Sequence, residues 1–164
     1  MYDIGESYFN ENLDIVYTRK VKIKIYAQAS ADLGDVEVPY YVKNKSEPET
    51  VDEIKGVTYN WENGQVMVSE LNRKDIFIEK YNEYVDLKKF TLPNVRAGSV
   101  IEYEYTHKIR YPDWFPDWTF QKDIPVVWSE YNARLPPFYD YILLSKGFFQ
   151  KFDIEEKNEA ALPS

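Results

Sequence analysis

The sequence predicts an all-β fold: an antiparallel β-sandwich with a long proline- and aromatic-rich loop and at most a short helix. Three observations predict it. The 164 residues include 15 Tyr, 9 Phe and 4 Trp, 17% aromatic in all, and such side chains suit a pleated, half-buried surface because each pairs a flat apolar body with room for a polar tip at the rim. Apolar and charged residues alternate strictly over several segments of strand length, the period of a sheet with one buried face. The dipeptide Asn63-Gly64 lies between two such runs and suits the positive φ angles of a type I′ hairpin turn.

The elements follow in order. Between Leu13 and Tyr26, the apolar Tyr17, Val21, Ile23 and Ile25 alternate with Thr18, Lys20, Lys22 and Lys24, which makes a strand whose lysine row faces solvent. Leu33-Gly34-Asp35 is a turn, and Val36–Tyr41 is a short strand that Pro39 confines to an edge or a bulge. A polar loop covers residues 43–53; its Asn44-Lys45-Ser46 fits a glycosylation acceptor, too common a pattern to carry weight. In the hairpin Val57–Glu70, placing Glu62 opposite Gln65 sets Trp61 opposite Val66 and Tyr59 opposite Val68, which gathers the apolar side chains on one face and Thr58, Asn60, Met67 and Ser69 on the other. Residues 72–84 mix both periods and read as irregular, with room for a short helix. Val85–Leu92 is a strand stopped by Pro93, and Ile101, Tyr103, Tyr105, His107 and Ile109 form the inward face of the next. Pro112, Pro116 and Pro125 bar a central strand from residues 111–125. Val126–Leu135 and Phe138–Leu144 complete the strands.

Composition excludes several functions. A net charge of −8 disfavours nucleic acid and anionic membrane as partners. With no cysteine there is no thiol nucleophile, disulfide or thiolate metal site, and the single histidine excludes a multi-His cage. No apolar run reaches the length of a membrane span, and the first residues lack a signal-peptide layout, so a soluble chain without membrane insertion is expected. His107 has the chemistry of a general base, yet it stands on an inward strand face with no serine or cysteine motif beside it, and we read it as structural. Asp113, Asp117 and Asp123 share one loop, but their spacing fits no calcium loop. No catalytic, cofactor or metal residue is therefore assigned.

The segment Pro93-Asn94-Val95-Arg96-Ala97-Gly98-Ser99, the alternation through Thr106, Pro112-Asp113-Trp114, and Asp117-Trp118-Thr119-Phe120-Gln121-Lys122-Asp123-Ile124-Pro125-Val126 together resemble the DUF3857 family. So do Val36–Tyr41, the stretch from Ile54-Lys55-Gly56 to Asn63-Gly64, Lys74-Asp75-Ile76-Phe77 and Trp128-Ser129-Glu130-Tyr131. These pieces keep their order from residue 13 to about 137. The resemblance implies an antiparallel sandwich at the N-terminus of exported transglutaminase-like proteins of Bacteroidetes and related bacteria, with a periplasmic or cell-surface location. It also implies that a Cys-His-Asp triad lies in the domain that follows, since this chain lacks the nucleophile for such acyl transfer. The chain accordingly divides into a sandwich over residues 1–147 and an acidic tail or linker over 148–164 leading toward a downstream domain.

The aromatic loop is the one candidate interaction site. Tyr111, Trp114, Phe115 and Trp118 can close the open end of the sandwich, pack against a neighbouring domain, or stack on a saccharide or peptide. Trp118, with Phe120 two residues on, is expected to turn inward and Trp114 outward. The expected function is a non-catalytic structural or interaction module, with a stand-alone carbohydrate- or peptide-binding sandwich as the alternative. An interdomain module would carry a flat apolar patch near its C-terminal end, whereas a binding module would line a groove with aromatics.

Overall fold

A computed structural model of the chain describes residues 1–42, 48–110, 115–137, 142, 144, 146 and 155. Among these residues nine strands form two sheets: β1 (Tyr2–Phe9), β2 (Ile15–Lys24), β3 (Asp35–Tyr41), β4 (Thr50–Glu62), β5 (Gln65–Glu70), β6 (Ile76–Lys80), β7 (Val85–Thr91), β8 (Val100–Ile109) and β9 (Trp128–Ala133). The large sheet runs β5-β4-β8-β2-β1-β9 and the small one β3-β7-β6. Every pair is antiparallel except β1 with β9, which run parallel. Among the described residues, helical ones are confined to two 3-10 segments, Gln28–Gly34 and Arg73–Asp75. No helix among the described residues is long and apolar enough to cross a membrane.

The odd residues of β2 and β8 supply one wall of the core, with Ile15, Tyr17, Val21, Ile23, Ile101, Tyr105 and Ile109 buried. The small sheet supplies the other through Val36, Val38, Tyr40 and Phe90, and the Phe90 ring meets Tyr103 edge-on at 5.9 Å. Three strands cannot cover six. Over the β1–β9 end the second layer is made instead by residues 115–125, which pack Phe115, Trp118 and Ile124 against the core. Proline fixes the backbone of this segment, so its side chains hold it in place.

Most of the expected strands form where alternation placed them, and the hairpin register has Trp61 opposite Val66 and Tyr59 opposite Val68. Asn63 and Gly64 take φ of 48° and 82°, and β3, with its Pro39, is an edge strand. Four points differ. Strand β1 was not anticipated, because its inward residues Asp3, Gly5 and Ser7 are polar or small. Residues 76–80 form β6, an edge strand of the small sheet rather than an irregular stretch, for pairing with β7 overrides the mixed local pattern. Strand β4 begins at Thr50, inside the expected loop. The hairpin sorts its side chains onto two faces as expected, and it is the polar one that turns inward: Thr58 and Asn60 are buried while Trp61 is 69% exposed. The expected strand Phe138–Leu144 and the tail 148–164 fall largely outside the described residues, as does the acceptor pattern at 44–46.

Candidate functional site

The densest polar chemistry lies where residues 115–125 cross β1, β2 and β9. Asp3 projects from the inward face of β1 and is fully buried. Its two carboxylate oxygens accept from Arg19 on the neighbouring strand, Nε to Oδ1 at 2.8 Å and Nη2 to Oδ2 at 2.7 Å. Lys122 of the covering segment brings its ammonium to 3.9 Å from the same carboxylate. Burial opposes the Arg19 charge, but the hydrogen bonds to Asp3 outweigh it and hold the guanidinium more firmly protonated than usual. Lys122 shifts the other way, lowered first by burial and then by the Arg19 charge.

Aromatic rings enclose this cluster. The Trp118 indole stacks on Tyr131 with centroids 5.2 Å apart and planes 8° from parallel, and its N–H donates to Ser129 Oγ at 3.0 Å. Arg19 lies 5.7 Å from the Trp118 centroid on a path that allows cation–π attraction. Gly5 makes the stack possible, since a Cβ there would come within 2.6 Å of the indole and 2.8 Å of Tyr131. Burial pushes the phenols of Tyr103 and Tyr131 up to about 12. Both stay neutral at physiological pH, so they offer hydroxyl groups and no base. The carboxylate is saturated by its partners. The arrangement is thus a latch that fastens the loop to the sheet, with a cleft of about 320 Å3 beside it, lined by Ile23, Val36, Tyr103, Lys122 and Ile124 among others.

The residues singled out from the sequence fare differently. Phe115 sits 6.2 Å from both Phe9 and Tyr131, centroid to centroid, so Phe115 and Trp118 help close the sandwich end, as expected for Trp118. Tyr111 and Trp114 lie outside the described residues. His107 Nε2 is 3.0 Å from Glu49 Oε2, and the same oxygen accepts from the Tyr41 backbone N–H at 2.9 Å; the histidine is hydrogen-bonded at a sheet end. Asp117 is exposed on the loop. Among the described residues no group of three or more His, Asp or Glu is placed to hold a metal ion.

Sequence reasoning passed over Asp3, Arg19, Glu49 and Lys122. The signal for Arg19 was present, since it is the one charge on the otherwise apolar odd face of Tyr17–Ile25. On the outer face of the large sheet lie two apolar areas. One joins Tyr2 of β1 to Trp128 of β9, neighbours in register, with Val127 beside them, 71% exposed. The other is the hairpin corner of Trp61, Val66 and Val68. Between them the lysine row pairs across strands, Lys22 with Glu102 at 2.5 Å and Lys20 with Glu104 at 3.4 Å.

Residues 12–159 match the model of DUF3857, a domain of unknown function with a solved structure. No curated protein matches the chain. Its fold is similar to part of a crystal structure of a candidate protease from Parabacteroides distasonis, with a TM-score of 0.52 and 12% identity over 70% of this chain. The chain spans 23% of that protein's length.

Proposed function

The chain belongs to the DUF3857 family, and from that membership we propose that it serves as a non-catalytic structural module within a larger exported protein, packing against a transglutaminase-like domain of the same polypeptide. The observation that carries this reading is the exposed apolar pair of Tyr2 and Trp128, neighbours in register on the β1–β9 edge, with the exposed Val127 next in the chain. It adjoins the strand from which the chain runs on toward its C-terminus, and Trp128 is 55% exposed there. A surface of this kind is used where a neighbouring domain covers it. The similar solved fold also occupies a minor part of a longer chain. Phe115 and Trp118 are spent on the sandwich's own interior, which favours the module over a sugar- or peptide-binding sandwich.

The test compares this chain with its longer natural polypeptide. Hydrogen exchange and acrylamide quenching should show Trp128 and residues 126–129 protected in the longer form. Equal accessibility in both would refute the packing. A hydrolytic activity of this chain that disappears in His107→Gln would refute the non-catalytic part.

A further inference from the structure

We infer that the free edge of β5 is a self-association edge, where a second copy of this chain adds antiparallel and joins the two large sheets into one. Among the described residues β5 has β4 on one side and no strand on the other. Natural edge strands are usually blunted by Pro, Lys, bulges or polar side chains. The other edges follow this rule, with Pro39 in β3, Glu79 and Lys80 in β6, and Ser129, Glu130 and Asn132 in β9. Gln65-Val66-Met67-Val68-Ser69-Glu70 has no Pro or Lys, its polar residues stand at its two ends and leave Val66-Met67-Val68 as an unblunted centre, and its pairing with β4 is free of bulges.

The register of such an addition follows from parity. The Leu71 N–H donates to the Gly56 carbonyl at 2.8 Å, and in an antiparallel ladder mutually bonded pairs alternate. Residues 65, 67 and 69 therefore bond inward to β4, while Val66, Val68 and Glu70 direct their N–H and C=O groups to the open edge. A two-fold axis normal to the sheet keeps each side chain on its own face, so it must pass midway between the two copies of one residue. Centred on Met67, it sets each Val66 against the second copy's Val68 as a hydrogen-bonded pair, and Gln65 against Ser69. Glu70 then falls opposite Gly64, so no like charges oppose.

Centred on Val68 instead, the axis would set the carboxylate of Glu70 against Val66. The Met67 register also completes an apolar row. Trp61 adjoins Val66, and Tyr59 adjoins Val68, so Trp61 and Val66 of one copy continue into Val68 and Tyr59 of the other. Side chains now exposed become cross-strand neighbours.

The absence of cysteine from the chain gives a register-specific test. Sedimentation velocity over the micromolar to submillimolar range should show a reversible monomer–dimer equilibrium. Val66→Lys should shift the dissociation constant upward at least tenfold with an unchanged circular dichroism spectrum. In the Met67→Cys variant the two sulfurs face each other across the axis at a non-hydrogen-bonded pair, a spacing compatible with a disulfide. Mild oxidation should therefore cross-link Met67→Cys and leave Ser69→Cys uncross-linked. A chain that stays monomeric throughout the range, a dimer indifferent to Val66→Lys, or preferential cross-linking of Ser69→Cys would each overturn the inference.

Discussion

Replacing Asp3 by Asn should cost about 3–5 kcal/mol, the loss expected when one member of a buried ion pair is removed. The carboxylate is 0% exposed, and the Arg19 and Lys122 side chains are 22% and 29% exposed. The amide keeps the shape of the carboxylate but has one acceptor where there were two, so one of the contacts at 2.7 and 2.8 Å becomes donor against donor. A hydrogen bond to a charged group contributes about 1.5–3 kcal/mol. The remainder comes from leaving Arg19 and Lys122 to repel each other beneath the Trp118 ring without an anion between them. A domain of this size has a total stability of about 5–15 kcal/mol, so the variant should fold yet unfold at distinctly lower urea. Equilibrium urea denaturation at neutral pH measures the difference. The double variant Asp3→Leu, Arg19→Met removes both charges and should recover much of the loss. If Asp3→Asn lies within about 1 kcal/mol of wild type, the value of an exposed pair, or if the double variant is as damaged as the sum of its singles, the latch does not hold the loop.

Gly5→Val should unstack Trp118 from Tyr131, red-shift tryptophan emission and cost about 1–3 kcal/mol in the same assay; an unchanged spectrum counts against the close approach at Gly5. Thr58 Oγ1 is buried without a hydrogen-bond partner among the described residues, so Thr58→Val should raise stability by about 1 kcal/mol, and a loss on thermal denaturation would reveal a partner. Burial alone would raise the Asp14 pKa, but hydrogen bonds from Asn10, Lys108 and Arg110 outweigh it and the pKa is lowered. Its contribution is therefore complete above the ordinary 3.8 and lost as pH falls through the lower folded value, so the gap between wild type and Asp14→Asn should close on acidification. A gap constant with pH would contradict the shift. Tyr103 and Tyr131, raised to about 12 by burial, contribute stability that is complete below the ordinary 10 and lost as pH rises toward 12. Phenolate absorbance should accordingly rise in an early exposed phase and a late phase that accompanies unfolding; a single phase near 10 would refute it.

What could be read from the sequence was whatever had a period. The strands β2, β3 and β8 announce themselves through alternation that matches their burial, and Asn63-Gly64 fixes a register because only one pairing satisfies the turn. Strand β1 escaped notice because its inward positions, Asp3, Gly5 and Ser7, reverse the usual code. Each is small or polar because the layer above it is an aromatic segment with its own cation, not an aliphatic sheet. Alternation reports burial against hydrocarbon, so it is blind to a strand whose buried face meets Trp118 and Lys122. The latch was hidden for a related reason, since its three charges come from β1, β2 and the loop, and no local window contains two of them.

The inverted hairpin has a cause that can be located to one residue. Along β4, Val51 and Asp52 pair with His107 and Thr106, but the next partners are Lys55 and Glu104. Two residues, Glu53 and Ile54, thus stand against one on β8. Glu53 takes a φ of 53° to make the bulge, and a single extra residue exchanges the two faces of everything beyond it. With an unbroken ladder, Val57, Tyr59 and Trp61 would share the inward face with Val51. The bulge sends them outward and brings in Gly56, Thr58 and Asn60. Two of the three inward residues have specific places: Gly56 lies so close to Leu92 that a Cβ would meet its Cδ2 at 2.3 Å, and Asn60 accepts from Ser99 at 2.7 Å and donates to the Asn94 carbonyl at 3.0 Å. Gly56 and Asn60 are therefore matched to their neighbours, and this fixes the register that turns Tyr59 and Trp61 outward. The bulge thus carries Trp61, Val66 and Val68 to the surface while hydrogen bonds hold Asn60 inward, and it presents the apolar row that the proposed pairing of two β5 edges would cover.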